Sequence, residues 1–245
     1  MSPSSARHFS RAVLMVALSG LFTSAYAGAP DFGRERAALV RRLQRPHAGN
    51  PRITNQRVLG AISRVPRHLF VEPKLRGRAY DDEDIPVGSG QVMCSPYAVA
   101  LMAQMLDPHP GARLLEVGTG PGYLTAVLAS ITPQVYSIDL RPELAKAAEA
   151  RLRALHYSSV RTRIGKGCQG WAENGPFDGI VVTCAAQEVP EALIAQLREG
   201  GRLVIPIGHG PEQTLSCLRK SGGKLHASGT VMRLRVSPML CQGGR

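Results

Sequence analysis

The chain has 245 residues, 44% of them hydrophobic, which is enough for one sizeable core with a small appended segment. A net charge of +12 and a pI near 10.1 draw anions to the surface, but the positive residues are scattered and aromatics make up only 5%. Nucleic-acid recognition needs clustered charge and stacking platforms, so it loses ground. Five cysteines, with no C-x-x-C pair and no His/Cys metal spacing, argue against a disulfide framework and give no structural metal site.

The N-terminus reads as a leader. Arg7 and Arg11 precede an apolar stretch from Ala12 to Phe22, and Ala25-Tyr26-Ala27 follows. A basic start, a short apolar core and a small-residue cleavage site mark a secretory signal over residues 1–27, too short for a stable membrane span. The alternative is a misassigned start or a disordered leader. Two arginines and no acids lie in this stretch, so the body is basic by itself.

Residues 28–87 read as a helical segment packed on the core. Asp31 to Gln44 carries Leu39, Val40 and Leu43 among charges, an amphipathic helix. After the break at Arg45–Pro51, Thr54 is positioned to cap a second helix with Val58, Leu59 and Ile62 on its apolar face, ended by Val65-Pro66. The acidic run Asp81–Asp84 reads as a solvated loop before an extended Ile85-Pro86-Val87. Ser95-Pro96 is a cap and first-turn pair for a helix reaching Leu106.

From Gly88 onward strands and helices alternate. Strands are expected at 113–117, 135–139, 160–164, 179–183 and 202–207, with two more within 214–219 and 224–236. Helices follow the glycine loop and Pro142, and a third is expected over Pro190–Leu197, stopped by Gly200-Gly201. Continuous apolar strands alternating with helices predict an α/β, Rossmann-like doubly wound, mostly parallel sheet covered on both faces.

The loop Glu116-Val117-Gly118-Thr119-Gly120-Pro121-Gly122 runs from a strand into a helix. Its G-x-G-x-G spacing differs from the G-x-G-x-x-G of pyrophosphate binders and favours S-adenosylmethionine, an adenosine carrying an amino acid. Asp139 ends the next strand, nineteen residues beyond Gly120, where a carboxylate can accept both ribose hydroxyls.

Blocks on either side of this loop carry a family pattern. In order they are Arg64–Val71, Ala79-Tyr80, Pro86–Gln91, Pro96-Tyr97, Gly170-Trp171, Pro176–Asp178, Val181–Thr183, Val189-Pro190, Gln196-Leu197 and Gly200–Leu203. The chain resembles the protein-L-isoaspartate O-methyltransferases over residues 30 to 240. The resemblance implies methyl transfer from S-adenosylmethionine to the free carboxylate of L-isoaspartyl residues in damaged proteins. The ester then closes to a succinimide that reopens partly to normal aspartate. It implies cofactor contacts from Glu116, Gly118, Thr119, Gly120, Gly122, Asp139, Lys166 and Gly167, and a methyltransferase domain over residues 88–245.

Two positions depart from that pattern. Cys94 stands where the family places a serine thought to orient the acceptor carboxylate, with Ser95 as a substitute one residue away. Lys166 replaces the aspartate expected near the adenine, and weaker cofactor affinity is expected from it. A homologue with little turnover, or a methyltransferase acting on RNA, are the competing readings. A monomer without nucleic-acid partners is expected, in the cytosol where the cofactor is made, or exported if residues 1–27 are a signal.

Overall fold

The computed structural model describes residues 31–46, 49–88 and 90–241, so the leader pattern of 1–27 lies outside the described residues. Helix α1 (Phe32–Leu43) buries Leu39 and Leu43, and α2 (Gln56–Arg64) buries Val58, Leu59, Ala61 and Ile62. Asn55, not Thr54, caps α2: its side chain accepts from the backbone of Arg57 and Val58. The Thr54 hydroxyl is drawn elsewhere, to Gln104 Oε1 at 3.4 Å, an oxygen that accepts from the backbone N–H of both residues. Either residue type can cap, so tertiary contact decides.

Two 3₁₀ turns, Arg67–Phe70 and Pro73–Arg78, lead into a small hairpin of β1 (Ile85–Gly88) and β2 (Gln91–Met93). Helix α3 (Pro96–Leu106) starts at Ser95, whose Oγ accepts from Ala98 N at 3.2 Å. The acidic run before the hairpin is an exposed loop, as expected, and it also braces the next helix. Asp84 Oδ1 accepts from Ser95 N at 2.7 Å, Asp82 Oδ1 accepts from Tyr97 N at 3.0 Å, and Glu83 pairs with Arg78. These carboxylates satisfy backbone donors at the start of α3, where negative charge is favoured.

The main sheet contains β3 (Leu114–Val117), β4 (Val135–Asp139), β5 (Arg161–Ile164), β6 (Phe177–Val182), β7 (Leu197–Ile207), β8 (Gln213–Ser221) and β9 (Lys224–Leu234). Its order is β5-β4-β3-β6-β7-β8-β9; the first five strands are parallel and the last two antiparallel. Helices α4 (Tyr123–Ala129), α5 (Pro142–Ala154) and α6 (Glu191–Gln196) make the crossovers. Helix α6 ends within one residue of the expected Leu197, but the strand after it starts well before the expected Arg202. Leu197 already begins β7, and Gly200-Gly201 falls within the strand, where the register with β6 shifts. Glycine inside a strand marks such an irregularity.

Alternation along the strands divides the core. Leu114, Val135, Val181 and Val204 join α1–α4 on one face. Leu115, Val117, Tyr136, Ile138, Phe177, Ile180 and Val182 pack with Leu193 of α6 on the other. Strand β3 lies between β4 and β6, so the chain reverses direction across the sheet at its C-terminal end. That switch point opens a crevice.

Candidate active site

A cavity of about 380 Å³ occupies the crevice, within the range of small-molecule sites. Its floor follows from strand register. Glu116 of β3 stands opposite Ser137 of β4, so both side chains and Asp139 project on the face covered by α4. Ser137 Oγ and Thr125 Oγ1 donate to Glu116 Oε2 at 2.7 and 2.5 Å, while Oε1 is buried without a hydrogen-bond partner. Burial pushes the Glu116 carboxyl up to about 8, against those two hydrogen bonds and with help from Asp139.

Asp139 braces the glycine loop. Its Oδ2 accepts from Gly120 N at 2.8 Å and its Oδ1 from Arg141 N at 2.9 Å. Thr119 Oγ1 lies 2.6 Å from Ser137 Oγ, and Gly118 N donates to Ile138 O at 2.7 Å. Thr183, at the end of β6, donates its hydroxyl to Gly118 O at 2.8 Å. The sequence blocks included Thr183 without giving it this duty, which only the β3–β6 pairing discloses.

Glu116, Gly118, Thr119, Gly120, Asp139, Gly167 and Cys94 all line the cavity. Three residues singled out in the sequence are not among its lining. Gly122 instead sits at the start of α4 against Ala148 and Leu152 of α5. Ser95 is occupied as the cap of α3. Lys166 leaves the lining to Gly167, whose missing side chain lets the turn press on Val117. The roof, residues 236–240, had no signal in the sequence reading. It is fixed by Ala185 N donating to Ser237 O at 2.8 Å and Met239 N to Ala185 O at 2.7 Å.

Arg67 supports the acceptor side. It is fully buried, donating from Nε to Ala79 O and from Nη2 to Cys94 O, both at 2.7 Å. Its guanidinium lies 4.7 Å from the Tyr123 ring centroid. Burial lowers its proton affinity, and Tyr123, Cys94, Asp84 and Asp82 oppose that. Arg67→Met strands two carbonyls, and a loss of about 2–4 kcal/mol in urea unfolding is expected. An unchanged midpoint would show that the two contacts contribute nothing.

The cavity suits an adenosine with a charged amino-acid tail. Asp139 keeps lone pairs for hydroxyls, the bare Glu116 oxygen calls for a donor, and Val117, Ile138, Leu140 and Met102 give an apolar lining. Fold and site define a Rossmann-like, S-adenosylmethionine-dependent methyltransferase. The model of one family, protein-L-isoaspartate(D-aspartate) O-methyltransferase, matches residues 34–239, and the chain belongs to that family.

The protein-L-isoaspartate O-methyltransferase of Vibrio campbellii is 44% identical over 188 residues, covering 77% of this chain and 89% of its own. A solved protein-L-isoaspartate O-methyltransferase superposes with a TM-score of 0.73 at 25% identity, over 85% of this chain and 66% of its own. A Plasmodium falciparum structure, a putative member solved with S-adenosyl-L-homocysteine, shares the fold at 21% identity. Its TM-score is 0.70, over 86% of this chain and 99% of its own.

Proposed function

We propose that this chain methylates the free carboxylate of L-isoaspartyl residues in damaged proteins, drawing the methyl group from S-adenosylmethionine. One observation carries the reading. The cavity that holds the glycine loop and both carboxylates is also lined by Gly90–Cys94, which ends at the position where the resemblance places an acceptor-orienting serine.

Bound S-adenosylmethionine supplies a methyl group already activated by its sulfonium. The acceptor carboxylate is itself a nucleophile, so the protein's part is alignment and exclusion of water. Asp139 and the Gly118–Gly120 backbone would hold the nucleoside, and Glu116, whose Oε1 has no partner, would take the tail amine. Hairpin residues Gln91 to Met93 and the roof at 236–240 line the same cavity and would surround the reacting groups.

Cys94 faces the acceptor as a neutral thiol. Burial, with Asp84, pushes it up to about 12, although Arg67 pulls the other way. A thiolate would repel a carboxylate, whereas an S–H donates to it weakly. Ser95 stays with the helix, so Cys94 alone occupies the orienting position. Cys94→Ser, with a stronger donor, is expected to raise kcat/KM for an isoaspartyl peptide about tenfold. Cys94→Ala is expected to lower it.

The test is base-labile methyl ester on an isoaspartyl peptide at saturating cofactor. No ester above a no-enzyme control with the wild-type chain would overturn the reading. No helix among the described residues is long and apolar enough to cross a membrane. We place the protein in the cytosol, with its cofactor supply; a native N-terminus at Gly28 would instead mean export.

A further inference from the structure

Arg67 is a buried cation with no counter-ion in contact. Its polar contacts are the carbonyls of Ala79 and Cys94, each at 2.7 Å, and the face of the Tyr123 ring. Nη1 is buried without a hydrogen-bond partner. Asp82 and Asp84 reach the guanidinium only through space, while their Oδ1 atoms accept from Tyr97 N and Ser95 N. A guanidinium does not shed its proton, so the charge stays, and an unpaired buried ion is costly.

The contacts place that charge directly behind the cavity wall. Arg67 does not line the cavity, but Cys94 does, and the Cys94 carbonyl receives Nη2. Tyr123, also in the lining, opens α4 straight after the glycine loop. Arg67 therefore ties the end of Gly90–Cys94 to the helix that carries the cofactor loop. The charged residues of the lining, among the described residues, are Glu116, Asp139 and Arg141. Arg141 belongs to the strand end, where its backbone N–H donates to Asp139 Oδ1. Neither Gly90–Cys94 nor the roof at 236–240 contains a cation. Positive charge for an anion arriving at Cys94 has to come from behind the wall, where Arg67 sits.

We propose that Arg67 is a positioning residue for the acceptor, its buried charge making the Cys94 end of the cavity favour a carboxylate over a neutral group of the same shape. Arg67 acts through Cys94, whose carbonyl it fixes, and its field crosses protein, where water and salt screen it little. An arriving carboxylate supplies the counter-charge that the guanidinium lacks and lowers the cost of its burial. An amide cannot do so. The inference rests on the isoaspartyl reading, because it takes the acceptor to reach Cys94.

The test compares two peptides on wild-type full-length protein loaded with S-adenosylhomocysteine, which has no sulfonium charge of its own. One is an isoaspartyl peptide, and the other carries an amide in place of that carboxylate. At about pH 7 the carboxylate is expected to bind about tenfold more tightly or better. That ratio should hold from low salt to about 0.5 M, because the charge is buried. Arg67→Gln should bring the ratio close to one, with S-adenosylhomocysteine affinity as the check that it is folded. Arg67→Lys keeps a charge but not the fork of contacts, so it should keep most of the ratio while kcat for methyl transfer falls.

A ratio that collapses in salt would assign the preference to the basic surface and overturn the proposal, whether or not the variants fold. Loss of affinity for both peptides by one factor in Arg67→Gln, the mark of a merely structural role, would also overturn it. So would an Arg67→Lys ratio as low as that of Arg67→Gln. If Arg67→Gln does not fold, the salt series and Arg67→Lys decide. Methyl ester on the isoaspartyl peptide from the wild-type chain keeps the methyltransferase reading standing in all these cases, and its absence counts against that reading instead.

Discussion

Glu116→Gln is expected to make the protein more resistant to denaturation at about pH 9 and, at the same time, to weaken S-adenosylmethionine binding about tenfold or more. Both effects come from one atom. Thr125 and Ser137 satisfy Oε2, but Oε1 is buried without a partner. Burial therefore pushes the carboxyl up to about 8 from an ordinary value of 4.5. The folded chain binds more protons than the unfolded chain between those two values. Stability is then greatest below the unfolded value and is lost as pH rises through the folded one. Glutamine keeps an acceptor for the two hydroxyls and never ionises, so it escapes that loss.

The cost falls on the ligand. An ammonium group reaching Oε1 pairs with a carboxylate and expels its proton, which an amide cannot do. Wild-type affinity should therefore climb with pH to about 8 and then level off, while the glutamine variant stays flat. Calorimetry with S-adenosylhomocysteine, which keeps the same amine, reads the released proton directly in buffers of different ionisation enthalpy. Equal pH slopes for both proteins, or a variant that melts lower than wild type under alkaline conditions, would refute the assignment.

The sheet was legible because each strand announces itself locally. Val135–Asp139 is apolar until the acid that ends it, and Pro142 opens the next helix as expected. Glu116, Gly118, Thr119, Gly120 and Asp139 could be placed in one site because strand, loop and strand are near in sequence. Pairings over long separations were not legible. The short Gln91–Met93 strand, the contact of Thr183 with the loop, and the roof at 236–240 depend on neighbours far along the chain. Competing choices between adjacent residues were also opaque. Thr54 and Asn55 are both good caps, and Gln104 of α3 engages the Thr54 hydroxyl, leaving the Asn55 side chain to cap. The acidic turn at 81–84 is exposed, as its charge suggests, but its bracing of α3 was opaque because the partners Ser95 N and Tyr97 N have no signature in composition.

Gly118→Ala should be the most damaging change in the loop, with about 3 kcal/mol of lost stability and cofactor binding abolished. Gly118 has φ +97°, outside the range that L side chains adopt readily, and a Cβ there would overlap Thr183 Oγ1. That hydroxyl cannot step aside freely, because it donates to Gly118 O at 2.8 Å and lies 3.2 Å from Val117 O. The overlap and the backbone strain can be separated by a double-mutant cycle. Thr183→Ala removes the obstructing oxygen, leaving Thr183 Cβ at 3.5 Å from the new methyl, so the Gly118→Ala/Thr183→Ala pair should recover the overlap and retain the strain. Gly120→Ala is the control. Its φ of +52° falls in the left-handed region and nothing lies within 4 Å of a Cβ, so about 1–2 kcal/mol is expected. Its N–H to Asp139 is also preserved. Urea unfolding and S-adenosylhomocysteine affinity across the four variants decide the matter. If Gly118→Ala proves as mild as Gly120→Ala, or if Thr183→Ala recovers nothing, the glycine is not there to admit the Thr183 hydroxyl. The loop would then owe its composition to the ligand alone.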